Sequence, residues 1–418
     1  MQDVRNKLGA ALFCVLLTVV HTWPLASAPG TLSRNDNADA ALNAWIIAWV
    51  AHQLPRDPLH LFDANIFYPE PRTLAFSEPL IVPALMVAPV LWLGGSAVLA
   101  HNLALLAGMA LTAFAGYLLA LRYTRDAAAG LVAATLVAFN AMTLTSIPHI
   151  QMQHGYGVLF ALLGFEILLL EPRRWRGAIL LGASVLALAL TSGYMAVLGL
   201  TALVVAAAWR WRELIGARAA GARRRLVLAA LATSAVAGLL LAPYWLAHTE
   251  QGLARVPATP PAAIAAGFVI AVVALIVVNL EVLRAPRPYQ TFEGIPPIYD
   301  MLAAAPADAV LVELPFPPAR ANGPNAAYMV ASTRHWRPLL NGYSGFVPAS
   351  YRRRAESLAA FPAGDTVDEL IADGVTHIMI HTRRWNRGPS AIARLQRDRR
   401  LVLTREDDEG RYLFAVRR

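Results

Sequence analysis

The chain has 418 residues, of which 57% are hydrophobic and only 15% charged, too apolar for an ordinary soluble protein, where about a quarter are charged. A formal net charge of +9 could suit nucleic acid, but the arginines stand in short clusters between apolar runs (171–176, 209–212 and 223–225). That is how cytoplasmic loops of membrane proteins look, and nucleic-acid binding is set aside. The single cysteine, Cys14, excludes an intrachain disulfide and a thiolate metal site.

In chain order, Arg5 and Lys7 precede an apolar stretch ending near Leu25, followed by Ala26-Ser27-Ala28. Taken alone this resembles a signal peptide. The length of the stretch and the runs that follow favour an uncleaved first helix. Further apolar runs cover 79–95, 98–121, 127–146, 154–170, 177–208, 226–247 and 262–283, and a full span needs about 20 apolar residues. The run 177–208 is too long for one span and is interrupted at Thr191-Ser192-Gly193, which predicts two short helices with a turn between them.

Positive-inside placement puts Arg122/Arg125, Arg173–Arg176 and Arg210–Arg225 in the cytoplasm. The segment 147–153, the turn at 191–193 and a net acidic loop at 29–77 then face the other side. The crossing count fails between this loop and Arg122, where two apolar runs stand in place of an odd number. One way to restore it is for 79–95, with Pro79, Pro83 and Pro89, to lie along or dip into the outer surface.

After Arg284 the prolines 286, 288, 296 and 297 form a linker. Helical patterns at 298–304, 326–333, 350–360 and 390–397, a helix and strand within 367–380, and strands at 309–314, 401–404 and 412–416 predict a small α/β domain. The expected fold is a mainly α-helical polytopic membrane protein. It comprises a bundle at 1–284 with outer loop 29–77, and a soluble α/β domain at 285–418.

The outer loop carries the strongest candidates for chemistry. Asp36 and Asp39 precede the Trp-containing helical pattern 40–49. A helix-start aspartate can simply cap the helix, which fits Asp36. Asp39, placed beside what reads as an interfacial helix, is the better candidate for a general base on an acceptor hydroxyl or amine. His60, Tyr68 and Glu78 add the mixture of aromatic rings and acids that binds sugars. Aromatic anchoring at the bilayer surface is the simpler reading for the rings. His149, Gln151 and His154 follow an outward helix at a spacing that does not match a helical metal site. In the tail, His335, Asn341 and Tyr343 lie in or beside a glycine-containing loop that is either a turn or a glycan contact. Glu166, within an apolar run, should face the bundle interior. No phosphate loop, serine-nucleophile motif or zinc spacing occurs, and no paired charges or symmetric broken helices mark a transporter.

Together, the paired loop aspartates before a helix and Glu78-Pro79 at the loop's end resemble the GT-C superfamily of polytopic glycosyltransferases. The stretch Leu59-His-Leu-Phe-Asp-Ala-Asn-Ile-Phe-Tyr-Pro69 is similar to a bacterial GT-C-like group of largely unassigned substrate. So are the tail stretches Val312-Glu-Leu-Pro315, Ser332-Thr-Arg-His-Trp336 and Asn341-Gly-Tyr-Ser-Gly345.

The resemblance implies an inner-membrane, multi-pass protein that binds a polyprenyl-phosphate-linked sugar at its outer face. Asp39 is then the first choice and Asp36 the second for the acceptor base, with Glu78 as a substrate contact and the tail in the periplasm. Counting crossings, with Arg284 and Arg287 beside the last run, would instead put the tail inside. A divalent metal is compatible with the scattered carboxylates but not indicated, and no protein partner is implied. Relatives of this kind carry more helices before the tail. Here Pro243-Tyr-Trp245 is followed almost at once by the last apolar run, so a non-catalytic scaffold for binding or assembling envelope polysaccharide is the alternative.

Overall fold

The computed structural model describes residues 2–34, 37–216, 219–250, 254–255, 289–363 and 365–417. Asp36, the apolar run 262–283, and Arg284, Pro286, Arg287 and Pro288 lie outside the described residues. The chain is mainly helical, and among the described residues four helices are long and apolar enough to cross a membrane. It divides into two compact units. One holds Met1–Arg34 and Glu78–Ala242, the other Asn35–Ser77 and Phe292–Arg418. The outer loop therefore splits at Arg34, and most of it clusters with the tail.

The first unit is helical. Helix α1 (Gln2–Thr22) leaves Leu8, Leu12, Leu16 and Val20 exposed at four-residue intervals, an apolar stripe suited to lipid. Helix α2 (Ala38–Gln53) belongs to the second unit. Helix α3 (Ile81–Trp92) has 12 residues, about 18 Å of helix, and is too short to span a hydrocarbon core of about 30 Å. After a glycine turn with Gly94 at φ 91° comes α4 (Ala97–Thr124), a helix of 28 residues. The chain continues through α5 (Ala127–Ala138), the short α6 (Ala141–Thr145) and α7 (Ile150–Gln153), and α8 (Tyr156–Leu170).

The predicted break at 191–193 is present. Helix α9 (Arg176–Thr191) ends where α10 (Gly193–Trp209) begins, and Ser192 caps α10 by accepting from the Met195 N–H. Helices α8 and α9 approach closely because glycines face each other across the seam. A Cβ at Gly164 would lie 2.6 Å from the Leu181 nitrogen, so backbone-to-backbone van der Waals contact replaces side-chain interdigitation. Helix α11 (Trp211–Ile215) leads to α12 (Ala220–Glu250).

The two ends of α10 fix the polarity of this unit. At its start, Glu78 accepts from the Gly193 N–H at 2.8 Å and the Leu80 N–H reaches the Thr191 carbonyl at 3.3 Å. At its far end, about 25 Å away for 17 residues, the buried Glu166 pairs with Arg210 and accepts from the Tyr123 hydroxyl. Arg225 donates to the Pro172 carbonyl there. The basic turns thus gather at one end, and the end of the first loop meets the 191–193 turn at the other.

The second unit has a sheet at its centre. Two two-residue pairs accompany the units: β1 (Leu32–Ser33) with β3 (Gln290–Thr291) in the first, and β2 (Ala254–Arg255) with β5 (Phe346–Val347) in the second. The main sheet has the order β4-β6-β8-β7, from β4 (Leu311–Leu314), β6 (His377–His381), β7 (Leu401–Glu406) and β8 (Arg411–Val416). Strands β4 and β6 run parallel and the rest antiparallel. The helices are α13 (Asp300–Ala303), α14 (Asn325–Ser332), α15 (Ala349–Ser357), α16 (Thr366–Ala372) and α17 (Gly388–Leu395). Every predicted tail helix and strand is present, with ends shifted by a few residues.

The outer loop is bonded to the segment that lies beside this sheet. The Leu311 N–H donates to the Pro338 carbonyl and the Leu340 N–H to the Leu311 carbonyl, laying 338–340 beside β4. The next bonds run from the Leu339 N–H to Asn65, from the Phe67 N–H to Asn341 and from the Tyr68 N–H to Leu339. Residues 65–68 are thereby tied by backbone hydrogen bonds to 339–341. Helix α2 packs on α14 and is buried from Ala40 to Ala51, as a helix apolar on all sides must be. Its tryptophans are therefore core residues and not the interfacial anchors expected from sequence. The Trp45 indole donates to Asn65 and the Trp49 indole to the Leu61 carbonyl.

Candidate functional site

Asn37 caps α2, its side chain accepting from the Asp39 N–H at 2.9 Å. The cap expected of an aspartate is thus supplied one residue after Asp36. Asp39, in the first turn and half-buried, is left with another task. Its Oδ1 accepts from the Tyr343 hydroxyl at 2.6 Å. Two residues chosen separately from the sequence, 304 positions apart, are therefore in direct contact within the second unit. Burial, and then the Asp39 carboxylate, push the Tyr343 phenol well above its ordinary value. At neutral pH it is a fixed donor.

The loop that carries Tyr343 is pinned from below. The Gly342 carbonyl accepts from Asn325 at 2.8 Å and from Asn322 at 3.3 Å. A Cβ at Gly342 would sit 2.6 Å from the Phe67 ring, so only glycine fits. The fully buried Asn341 behaves as a peptide unit against β4. Its Oδ1 accepts from the Glu313 N–H at 2.8 Å, and its Nδ2 donates to the Glu313 carbonyl at 2.9 Å and to Asn325 at 3.0 Å. Asn341 is therefore committed to holding the loop. His335 is buried beside Tyr299, and its Nδ1 accepts from the Arg337 N–H. Burial, with Arg337 and His377 adding to it, pushes its pKa down to about 3, so it is a neutral interior ring.

The remaining candidates are spread out. His60 is exposed and bonded to Asp57 at 2.7 Å. Tyr68 donates its N–H to the Leu339 carbonyl, and its own carbonyl accepts from Arg354. Glu78 lies in the first unit at the start of α10, where burial raises its pKa and the Gly193 N–H opposes the rise. His149 is exposed ahead of α7, Gln151 is half-buried, and His154 is buried. The His154 ring packs against Gly108 and Tyr156. The two histidines do not share an exposure, and His154 belongs to the bundle interior.

One cluster escaped the sequence reading. Glu313 is fully buried, and its Oε2 accepts from the Tyr299 hydroxyl at 2.8 Å and bonds His381 Nε2 at 2.6 Å. The His381 ring stacks on Tyr328, over which Arg384 lies. The available signal was a carboxylate inside an otherwise apolar strand, 311–314, which is rarely buried without a partner. Among the described residues no group of three or more His, Cys, Asp or Glu side chains could hold a metal ion.

No family model matches the chain, and no curated protein matches it.

Proposed function

We propose that the chain is a membrane glycosyltransferase of the GT-C kind, moving a sugar from a polyprenyl-phosphate donor to an extracytoplasmic acceptor. In this reading it sits in a bacterial inner membrane as a multi-pass protein with its tail in the periplasm. The observation that carries the reading is the Asp39–Tyr343 hydrogen bond. A loop carboxylate in the first turn of α2 is oriented by a phenol whose own loop is held through Gly342 and Asn341. The acceptor hydroxyl or amine attacks the anomeric carbon while the bond from that carbon to the phosphate oxygen breaks. The electron pair leaves with the polyprenyl phosphate, and the acceptor proton passes to Asp39.

The same bond also favours a second reading, in which Asp39 and Tyr343 merely clasp loop to tail in a non-catalytic scaffold for envelope polysaccharide. Asp39→Asn separates the two, because the amide oxygen still accepts from the phenol while its basicity is lost. In the native host the enzyme reading requires loss of an envelope glycan and accumulation of a lipid-linked sugar. The clasp reading requires wild-type glycans.

A further inference from the structure

Six arginines lie between Arg383 and Arg399, all exposed: Arg383, Arg384, Arg387, Arg394, Arg397 and Arg399. Among the described residues none is ion-paired with a carboxylate. Arg383 and Arg387 donate to the Asp408 and Ala359 carbonyls, and Arg384 rests on Tyr328. This contrasts with Arg334, Arg354, Arg400 and Arg411 of the same unit, each neutralised by an aspartate or glutamate. The charges lie on and around α17, with Arg394 within it, Arg383, Arg384 and Arg387 before it and Arg397 and Arg399 after it; the helix buries Gly388, Ala391, Ile392 and Leu395. Within α17 the exposed Ser390 and Arg394 are four residues apart and share its outer face, with Arg387 and Arg397 just beyond its two ends. Trp385, half-buried against Phe361, adds an aromatic ring at the rim.

We propose that this arginine face docks the second unit on anionic phospholipid headgroups. The chain itself carries helices long enough to cross a bilayer, so lipid is the anionic surface always within its reach. Guanidinium groups bind phosphate with paired, planar donors, and arginine with tryptophan is the composition of surfaces that lie on a membrane. Each basic side chain near an anionic surface weights the docked form by about fivefold. Removing three would shift the balance about a hundredfold.

The single native cysteine makes the test direct. Full-length protein carrying Cys14→Ser and Ser390→Cys is placed in nanodiscs of phosphatidylcholine alone, or of phosphatidylcholine and phosphatidylglycerol in equal parts. The rate of reaction with a polyethylene-glycol maleimide is measured in each. Slowing by tenfold or more in the anionic discs is expected, relieved by salt. Adding Arg387→Gln, Arg394→Gln and Arg397→Gln should abolish it, whereas the three lysine replacements should keep it. Equal rates in both discs would overturn the proposal. So would slow rates in both that ignore the glutamine changes, since protein would then cover the face. Protection that appears only on adding soluble dextran sulfate would also overturn it, assigning the face to a soluble polyanion.

Discussion

Asn341→Leu tests whether the loop carrying Tyr343 is held by side-chain bonds or by packing alone. The replacement is close in volume and removes three hydrogen bonds, two to the Glu313 backbone and one to Asn325. All the groups left behind are buried. An orphaned buried donor or acceptor costs about 1–3 kcal/mol. With some relaxation, three of them amount to about 3–6 kcal/mol, a large share of the roughly 5–15 kcal/mol that holds a domain together. For a unit of this size the unfolding midpoint should fall by roughly 10–20 °C. Thermal unfolding of the detergent-purified protein, followed by near-ultraviolet circular dichroism and by proteolysis of the tail, measures it. A fall of only a few degrees would refute the reasoning, because the loop would then be held by the Gly342–Phe67 contact and the backbone.

Acid should weaken the second unit through His335. Its folded pKa of about 3 lies below the ordinary 6.5, so the unfolded chain binds the proton first. The associated stability is present above pH 6.5 and is lost as pH falls toward 3. At pH 4.5 the loss should be about 2–3 kcal/mol, and His335→Phe should flatten the dependence of the unfolding midpoint on pH in that window. Glu78→Gln keeps the acceptor for the Gly193 N–H and should leave the first unit intact, whereas Glu78→Ala should lower its stability by about 1–3 kcal/mol. A glutamine variant with normal fold and missing glycan would instead make Glu78 a substrate contact. Arg210→Met strands the buried Glu166 and should cost about 3–5 kcal/mol. Adding Glu166→Leu should recover most of that, and thermal unfolding of the four-member cycle would show strict additivity if the pair were unimportant.

Legibility in the sequence followed the range of the interactions. The α9–α10 break was readable because Thr191-Ser192-Gly193 interrupts an apolar run locally, and the tail elements because their apolar periods are intact. The burial of Glu166 also followed from its neighbours. Its partner Arg210 read only as a topology signal, because the pair spans 44 positions. The attachment of 65–68 to 339–341 was hidden, since the bonded residues lie some 270 positions apart and residues 65–68 show no alternating pattern. The cap of α2 fell on Asn37 where two aspartates competed for the role. The Glu313–His381–Tyr299 cluster draws one residue from each of three separated segments, so no spacing could reveal it. Asp39 and Tyr343 were each legible as polar residues in suggestive loops. Their contact was not.

The central claim is that Asp39 is a base which Tyr343 orients. The most direct measurement places Asp39→Asn and Tyr343→Phe side by side in the native host, scoring envelope glycans and lipid-linked sugars at matched protein levels. If Asp39 is the base, its asparagine variant loses about 10²–10⁴-fold in transfer with an unchanged unfolding midpoint, and the phenylalanine variant shows a smaller, partial loss. Wild-type glycans from Asp39→Asn, where deletion of the whole chain removes them, would contradict it.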